Sequence, residues 1–377
     1  MQSQNIGISW QLSDCHGWGI FGTHLALHLI QKGPCPPLLF TEPNFIGLSN
    51  EITNEIHSYL TVPNGQIVMN QITMLHSLGN NFQENKMSEH LRGRKNVAFA
   101  FFENTIRDQT AIERAKSWNR LLVGSSWNRD VCQDLGIPNT AFVSQGVDTK
   151  QFHPGPKQGV PSGRFVIYSG GKLEHRKGQD LVLAAFKIFN QMHRDSLLVT
   201  AWQNSWVESA ETITQSKHID VAPVMNEQGS IEMAEWAINN GVPADAFVDL
   251  GWVSNARLPA ILRESDVALF PSRCEGGTDL AAMEAMASGI PCILSANTGH
   301  LDLIEEDNCY ALTEQISDQT DPYWRTSDVD QIVEKLEFAY TDHQDRKNRA
   351  DLGVESMKKL SWDTQIGKLI SEITDLL

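Results

Sequence analysis

The sequence predicts an α/β protein in which two doubly wound domains face each other across a cleft. Strand-like and helix-like segments alternate through the first 145 residues, as they do in parallel sheets whose crossovers are helices. Residues 145–163 then hold three prolines and four glycines without a hydrophobic period, which is typical of a linker. The alternation resumes beyond this segment, and 377 residues are too many for one ordinary core.

Short apolar runs bounded by turn residues predict the strands of the first domain. These strands lie at residues 5–10, 37–40, 67–69, 96–102, 120–123 and 141–143. A glycine-rich loop, Gly17-Trp-Gly-Ile-Phe-Gly22, is predicted after the first strand. Helices are predicted at residues 23–31 and 127–135, because glycine follows the last periodic residues of each.

The same criteria predict the second domain, with strands at residues 164–168, 196–200, 246–250, 266–270 and 292–294. Its helices are predicted at residues 179–193, 258–264 and 278–288, and a polar insertion occupies residues 203–242. Two tail helices are predicted at residues 328–342 and 362–377. The acids of Ser327-Asp-Val-Asp330 precede the first of them, which favours a helix N-cap over a metal site.

The formal net charge of −16 argues against nonspecific nucleic-acid binding and against a strongly anionic membrane surface. The first residues lack the basic and apolar parts of a secretory signal, and no apolar stretch reaches the length of about 20 residues that a membrane span needs. The six cysteines have neither C-x-x-C nor zinc-site spacing. We expect a cytoplasmic protein with reduced thiols and no nucleic-acid partner; peripheral membrane contact has no support in the sequence.

A carboxylate and two glycines follow the predicted strand at residues 266–270. Glu275 stands beside Gly276 and Gly277, and the helix at residues 278–288 begins directly after them. A helix N-terminus offers unpaired N–H groups to anions, and glycine lets a backbone approach a ligand closely. This arrangement predicts a site for a phosphorylated or polyhydroxylated ligand.

Three cations, Lys172, Arg176 and Lys177, follow the first predicted strand of the second domain. A solvated, charged turn is one interpretation of them. A diphosphate site is the other, since a diphosphate needs charge compensation from several donors. We favour the diphosphate site because ligands of doubly wound sheets gather at the carboxyl ends of the strands, where Glu275 also lies.

Three motifs in order now resemble a known family. They are Gly146-Val-Asp-Thr-Lys-Gln-Phe-His-Pro154, Gly171-Lys-Leu-Glu-His-Arg-Lys-Gly178, and Glu275-Gly-Gly followed by Met283-Glu-Ala-Met-Ala-Ser-Gly-Ile-Pro291. Together they resemble the GT4 family of retaining glycosyltransferases, which use nucleotide sugars and have the GT-B fold of two Rossmann-like domains. The resemblance is clear over residues 120–312 and weak in the first hundred. It implies an acceptor-side domain at residues 1–155, a nucleotide-sugar domain at 156–355, and a C-terminal helix at 356–377 that packs back on the first domain.

The resemblance also implies residue roles. Lys172 and Lys177 would contact the donor diphosphate, with Arg176 beside them, and would neutralise the departing nucleoside diphosphate. Glu275 would hydrogen-bond the donor sugar, and Glu284 would bind the ribose hydroxyls. The remaining donor contacts would come from the loop Gly276, Gly277, Thr278 and Asp279, from the nucleobase pocket at Trp252 and Val253, and from the first-domain glycines Gly17, Gly19 and Gly22.

This chain departs from the family pattern at two points. Lys172 stands where the family usually has arginine, so a one-point contact is expected in place of a planar fork. Eight residues separate Glu275 from Glu284, one more than usual. We expect the loop around Gly276 and Gly277 to absorb the extra residue, because glycine tolerates unusual backbone angles.

The first-domain polar residue of the site is open between three candidates. Glu103 follows the predicted strand at residues 96–102 and is our first choice. His16 beside the glycine loop and His76 are the alternatives. A single histidine or glutamate at a strand end more often has a structural role, which is the competing interpretation of all three.

The predicted function is transfer of a sugar from a UDP-, GDP- or ADP-sugar to the hydroxyl of a sugar, glycan, lipid-linked or protein acceptor. No cofactor or metal is required, because the cations stabilise the leaving group. The alternatives are an inactive sugar-nucleotide or glycan-binding protein on the same scaffold and a GT-B sugar-nucleotide epimerase. A dehydrogenase is disfavoured. The Gly17-x-Gly-x-x-Gly22 spacing fits one, but the distance from Trp10 is long and Glu42 is the sole acidic candidate after the next strand.

Overall fold

The computed structural model describes residues 5–61, 69–86, 88–106, 108–159, 162–204 and 206–377. The first half of the chain forms a six-stranded sheet in the order β2-β1-β3-β4-β5-β6, and every neighbouring pair is parallel. Its strands are β1 (Asn5–Ile8), β2 (Pro37–Leu39), β3 (Ile72–Leu78), β4 (Lys95–Ala100), β5 (Arg120–Val123) and β6 (Thr140–Phe142).

The second half forms another parallel sheet, in the order β12-β11-β10-β7-β8-β9. Its strands are β7 (Phe165–Gly170), β8 (Ser196–Ala201), β9 (Phe247–Asp249), β10 (Val267–Phe270), β11 (Cys292–Ser295) and β12 (Tyr310–Leu312). Chain order reverses between β7 and β10, which makes their carboxyl ends a topological switch point. An antiparallel hairpin of β13 (Gln315–Ser317) and β14 (Arg325–Ser327) follows.

Helices connect the strands and cover the sheets. The first half contains α1 (Gly17–Lys32), α2 (Asn50–His57), α3 (Gln109–Lys116) and α4 (Ser126–Asp134). The second half contains α5 (Gln179–Met192), α6 (Val207–Glu211), α7 (Met233–Asn239), α8 (Leu258–Leu262), α9 (Leu280–Ala287), α10 (Val329–Thr341), α11 (His343–Lys359) and α12 (Trp362–Ile373). Among these, no helix of the described residues has the length and apolar character that crossing a membrane requires.

The last helix, α12, packs on the sheet of the first half. It begins at Ser361, whose hydroxyl accepts a hydrogen bond from the Thr364 amide. Its apolar face is buried in the same core as the first-half strands, through Trp362, Ile366, Leu369 and Ile373. Burying each such side chain contributes about 1.5–3 kcal/mol of hydrophobic stabilisation, so this helix ties the chain terminus firmly to the first sheet.

The predicted loop between the first strand and the first helix is wrong. Helix α1 begins at Gly17 and not at residue 23, with the side chain of His16 as its N-cap. The glycines serve close packing: a Cβ on Gly19 would lie 2.4 Å from the Ser13 Cβ, and one on Gly22 would lie 2.6 Å from the Trp10 Nε1. These glycines let the helix lie against the segment that follows β1.

Other elements were predicted incompletely. Residues 67 and 68 of the strand predicted at 67–69 lie outside the described residues, and Met69 begins a short 3₁₀ turn. The neighbouring strand is β3 (Ile72–Leu78), which is buried along its whole length and therefore lacks an alternating pattern. The polar insertion at 203–242 forms α6 and α7, and Trp236 of α7 enters the second core. Asp328 caps α10 as predicted, accepting from the Asp330 and Gln331 amides.

Adding one methyl group should have opposite effects on stability at two glycines. Gly22→Ala should lower the free energy of unfolding by about 1–3 kcal/mol, because the added Cβ overlaps the Trp10 ring. Gly367→Ala should raise it by about 0.5–1 kcal/mol, because that Cβ would meet nothing within 4 Å apart from its own stretch of helix, and alanine favours the helix. Thermal unfolding midpoints would show both shifts, and a stable Gly22→Ala protein would contradict the packing role of this glycine.

Candidate active site

The charged cluster predicted from the sequence lies at the switch point of the second sheet. Lys172, Arg176 and Lys177 belong to the connection after β7, and Glu275 belongs to the connection after β10. These two strands are neighbours, so the cations and the carboxylate meet at one sheet edge. The structure therefore brings together the residues that were placed there from their order along the chain.

Lys177 and Glu275 form the centre of the cluster. The Lys177 ammonium donates to Glu275 Oε1 at 2.7 Å and lies 3.3 Å from Asp279 Oδ2. All three side chains are largely buried. Burial alone would lower the pKa of Lys177, but the charges of Asp279 and Glu275 raise it above the usual value. Lys177 is therefore fixed as a cation.

Arg176 joins Glu275 to two further carboxylates. Its guanidinium donates to Glu275 Oε2 at 3.0 Å, to the Cys274 carbonyl at 2.6 Å and to Glu174 Oε1 at 2.5 Å. It also lies 3.5 Å from Glu103 Oε1, which comes from the first half of the chain. Burial would lower the pKa of Arg176, but Glu103, Glu174 and Glu275 raise it well above its usual value.

Lys172 occupies the outer side of the cluster. Its ammonium lies 3.2 Å from Glu174 Oε2 and 5.3 Å from the centre of the exposed Trp206 ring. Burial would raise the pKa of Glu174, but Arg176 and Lys172 lower it to about 2. Glu174 therefore stays ionised and bridges these two cations. Unlike Lys177, the Lys172 side chain is 38% exposed.

Backbone geometry holds the two charged connections against each other. The turn His175–Lys177 ends at Gly178, whose φ of 73° is left-handed. A Cβ there would lie 2.2 Å from the Pro271 carbonyl oxygen, so only glycine permits this approach. On the other side, the Glu275 amide donates to the Thr298 hydroxyl at 2.8 Å, and the Glu275 carbonyl accepts from the Gly299 amide at 3.0 Å.

In the loop from Gly276 to Asp279, the unusual backbone angle does not lie at a glycine. Neither Gly276 nor Gly277 has a positive φ; Asp279 does, at 64°. Asp279 tolerates this angle because its side chain caps α9, accepting from the Ala281 amide at 3.2 Å, and also binds Lys177. The expectation that the two glycines supply the unusual backbone angle is therefore wrong.

Gly276 and Gly277 are instead required by contact with the first half. A Cβ on Gly276 would lie 2.6 Å from the Phe102 carbonyl oxygen, and one on Gly277 would lie 2.4 Å from Gln145 Oε1. The Thr278 amide donates to the same Gln145 oxygen at 3.3 Å. In this arrangement the loop forms one of the contacts between the two halves of the chain.

Glu284 lies on α9, away from the cations. Its Oε1 accepts from Asn255 Nδ2 at 2.8 Å, and Asn255 shares the loop after β9 with Trp252 and Val253. Trp252 is 59% exposed. Burial, with a smaller contribution from Asp279, raises the pKa of Glu284 to about 8 against the hydrogen bond from Asn255. Near neutral pH this carboxyl therefore carries a proton that it can donate.

Comparison with known proteins identifies the family to which this site belongs. Residues 155–353, just over half of the chain, match the family described as Glycosyl transferases group 1. The chain belongs to this family. It is a family of glycosyltransferase enzymes, and the match confirms the predicted resemblance at the level of glycosyl transferases group 1.

One characterised relative matches part of the chain. The UDP-Gal:alpha-D-GlcNAc-diphosphoundecaprenol alpha-1,3-galactosyltransferase of Escherichia coli is 26% identical over 209 residues. The aligned region is 52% of this chain and 47% of that protein, so the chain matches only about half of this relative's length.

Solved structures share the fold over the whole chain. Trehalose-6-phosphate synthase OtsA has a TM-score of 0.68 and 13% identity, with full coverage of both chains. HepE of Anabaena in complex with UDP has a TM-score of 0.65 and 12% identity, covering 99% of this chain and 100% of that one. Sucrose-phosphate synthase of Thermosynechococcus elongatus has a TM-score of 0.64 and 14% identity, covering 99% of both. The fold is GT-B, as predicted.

The first-half candidates occupy different surroundings in this glycosyltransferase family member. Glu103 contacts Arg176, and burial raises its pKa although the arginine charge opposes the shift. The ring of His16 caps α1 by accepting from the Gly19 amide at 3.1 Å. The ring of His76 is buried in β3, 3.1 Å from Asn96 Oδ1, and burial lowers its pKa to about 4. Of the three, Glu103 is the one with a described contact to the charged cluster.

The first-half glycines also divide into two groups. A Cβ on Gly17 would approach Leu280 at the start of α9 to 3.7 Å, so this glycine faces the second half. Gly19 and Gly22 are buried in the packing of α1 against its own half. Of the three glycines, Gly17 is the one that lies beside helix α9, which begins directly after Asp279.

Glu275, Asp279 and His300 offer ligand atoms within 4.8 Å of one another, a spacing that could suit a metal ion. The Lys177 ammonium already contacts both carboxylates of this group, and His300 Nε2 lies 3.4 Å from Asp279 Oδ2. A metal ion would have to displace Lys177, so these residues fit an ammonium better than a dication.

Sequence reasoning missed Glu174, His300 and Thr298. Glu174 lies inside the motif from Gly171 to Gly178, so the sequence indicated that it lies near the cations but did not indicate that it pairs with them. His300 and Thr298 follow β11, and nothing in their spacing distinguishes them from ordinary loop residues. Thr298 adopts φ 42°, which is unusual for a β-branched residue and is held by its bonds to the Glu275 amide and Asn297.

Replacing Glu284 should change how stability depends on pH. The folded protein keeps a proton on Glu284 up to pH about 8, whereas the unfolded chain releases it near 4.5. The contribution of Glu284 to the free energy of unfolding is therefore fully present below pH 4.5. It is lost as pH rises toward 8, by up to about 1.4 kcal/mol per pH unit. Glu284→Gln lacks this loss, so its melting temperature should match wild type at pH 5 and exceed it increasingly toward pH 8. A constant difference in melting temperature between variant and wild type across pH 5–8 would contradict the raised pKa of Glu284.

Proposed function

We propose that this protein transfers a sugar from a nucleoside-diphosphate sugar to an acceptor hydroxyl, with retention of anomeric configuration. The observation that carries the proposal is the cluster of Lys172, Arg176 and Lys177 against Glu275 at the switch point of the second sheet. Family membership supports glycosyl transfer from a nucleotide sugar. Retention rests on the resemblance of the motifs to GT4 enzymes.

The donor diphosphate would exchange protein ion pairs for phosphate contacts. The cations are paired with the carboxylates Glu103, Glu174, Glu275 and Asp279. A diphosphate that binds Lys172 and Lys177 would replace Glu174 and Glu275 as their partners. The desolvation of Lys177 is already achieved in the fold, which strengthens its interaction with a phosphate. Loss of Lys177 as a partner would then leave Glu275 Oε1 free to accept from the sugar hydroxyls, while Oε2 stays bonded to Arg176.

Binding of the nucleoside would involve the loop after β9 and helix α9. The Trp252 and Val253 segment would line the base, and Glu284 would bind the ribose hydroxyls. A protonated Glu284 both donates and accepts hydrogen bonds, which suits a pair of hydroxyls. The backbone amides of Gly277, Thr278 and Asp279 would hold the sugar and the distal phosphate, which requires the bond between Thr278 and Gln145 to open.

Catalysis would then depend on leaving-group stabilisation. As the bond to the anomeric carbon breaks, negative charge grows on the departing diphosphate, where Lys177, Lys172 and Arg176 compensate it. The acceptor hydroxyl would attack the anomeric carbon from the same face and pass its proton to the departing diphosphate oxygen, with Glu103 as the polar residue supplied by the first domain. Contact between the two domains would exclude water and limit hydrolysis of the donor. In this scheme no metal ion is needed.

The two domains would divide the substrates between them. We assign residues 1–155 to the acceptor side, 156–355 to the donor, and 356–377 to the helix that returns to the first domain. Because the E. coli relative uses UDP-Gal and HepE was solved with UDP, UDP-sugars are the donors to test first. The diphosphoundecaprenol substrate of that relative makes a lipid-linked saccharide one acceptor to test beside free sugars.

Removing the central ion pair should abolish transfer without unfolding the protein. Lys177→Ala and Glu275→Gln should each lower kcat by at least about 100-fold, because each removes a charge that acts on the donor. Lys347→Ala is the matched control, since Lys347 is exposed and pairs with Asp351 one helical turn away. Circular dichroism would establish that the variants are folded, and product formation over time would give the rate of transfer. Near-normal turnover in both site variants would refute the site assignment.

A panel of nucleoside diphosphates should identify the donor base. A ligand at 100 times its Kd stabilises the folded state by about 2.7 kcal/mol, so the correct diphosphate should raise the melting temperature of wild type. The same ligand should give little shift with Lys177→Ala.

If a UDP-sugar is the donor, NMR of the product would establish its anomeric configuration. An inverted product would overturn the retaining assignment, and a free epimer would indicate an epimerase.

A further inference from the structure

The β13–β14 hairpin connects the two halves of the chain beside the charged cluster. It leaves the second sheet after β12, and residues 318–324 join its strands. No sequence motif marked this segment, and no role in the proposed reaction has been given to it. Its side chains nevertheless form hydrogen bonds to both halves of the chain.

On the first-half side, the hairpin binds the segment that follows β4. The Asp321 carboxylate accepts from the Thr105 amide at 2.8 Å and from the Thr105 hydroxyl at 2.5 Å. The Trp324 indole donates to the Glu103 carbonyl at 2.5 Å. The Tyr323 ring packs edge-on against Trp127, with 5.6 Å between ring centres. These bonds clamp the backbone on both sides of residue 104.

On the second-half side, the same hairpin binds the connections that carry the charged cluster. The Arg273 guanidinium donates from Nε to Asp318 and to Thr326, each at 3.1 Å, and the Arg325 amide donates to the Arg273 carbonyl at 3.0 Å. Asn297, just before Thr298, donates to Gln315 Oε1 at 2.9 Å. Both strands of the hairpin are therefore fixed to the loops around Glu275.

The Glu103 backbone lies between these two sets of contacts. Its carbonyl accepts from Trp324 and lies 3.5 Å from Cys274 Sγ, one residue before Glu275. Its carboxylate lies 3.5 Å from the Arg176 guanidinium. We propose that Asp321 and Trp324 are positioning residues, which hold Glu103 at the donor site by joining the first domain to the donor loops. This proposal rests on the proposed function, because it gives Glu103 its role facing the acceptor.

The effect of the hairpin on the position of Glu103 can be distinguished by experiment from an effect on donor binding. Asp321 and Trp324 make no described hydrogen bond to Lys172, Arg176, Lys177 or Glu275. Their loss should therefore spare nucleotide affinity and reduce the rate of transfer. A merely structural role would instead lower overall stability and change both quantities together.

The test compares Trp324→Phe and Asp321→Ala with Ile316→Thr, a control on the exposed face of the same hairpin. Trp324→Phe keeps an aromatic ring and removes the indole donor, while Asp321→Ala removes both bonds to Thr105. Hydrogen exchange of the segment at residues 103–106 should speed up in both variants and stay unchanged in the control. This readout needs no substrate, and unchanged exchange in both variants would overturn the proposal.

Activity provides the second readout. With the UDP-sugar that best stabilises wild type, transfer by Trp324→Phe should fall about tenfold or more, since misplacing a reacting group by 1 Å can cost about 100-fold. The melting shift caused by UDP should be retained. The double variant Glu103→Gln/Trp324→Phe should be no slower than Glu103→Gln alone, because both changes remove one function. Losses that multiply would show that Trp324 does not act through Glu103.

The two proposals can fail separately. Near-normal turnover of both Lys177→Ala and Glu275→Gln would overturn the proposed site, while the exchange result would still decide whether the hairpin holds residues 103–105. Inactive Lys177→Ala together with fully active Trp324→Phe and Asp321→Ala would retain the enzyme and overturn the positioning role.

Discussion

The arrangement of this protein depends on complete charge pairing around Arg176 and Lys177. Both cations are buried where the connections after β7 and β10 meet, and each is stabilised by carboxylates from separate parts of the chain. Removing one partner of a buried ion pair typically costs about 3–5 kcal/mol, because the remaining charge is left without compensation. The donor loops, the start of α9 and the end of β4 are therefore held together by the same interaction that a diphosphate would use.

Close backbone approach is the second requirement, and it explains several glycines. Gly178 permits contact between the two donor connections, while Gly276 and Gly277 permit contact between the second domain and the Phe102 segment. A glycine beside a carboxylate at a strand end is readily interpreted as space for a ligand. Here the space is taken up by protein, and the backbone freedom expected of Gly276 and Gly277 is found at Asp279.

The fold class and the centre of the site were predictable because they depend on local signals. Apolar runs after turn residues marked most strands, and the order of Lys172, Lys177 and Glu275 along alternating elements placed them at one sheet edge. The start of α1 was not predictable, because Gly17, Gly19 and Gly22 are typical of a loop until the neighbouring Ser13 and Trp10 are known. Contacts such as Thr298 with Glu275, or the hairpin with Glu103, join residues distant in sequence, and no local pattern encodes them.

The different exposure of the three cations has a kinetic consequence. At the proposed donor site, a nucleotide approaching from solvent would meet Lys172 first, because this side chain is 38% exposed beside Trp206 whereas Arg176 and Lys177 are largely enclosed. In a chain of net charge −16, such an outer cation would govern encounter with an anion, and salt would screen it. The enclosed Lys177 would be screened far less and would act on how long a bound nucleotide stays. Ionic strength would thus affect association more than dissociation.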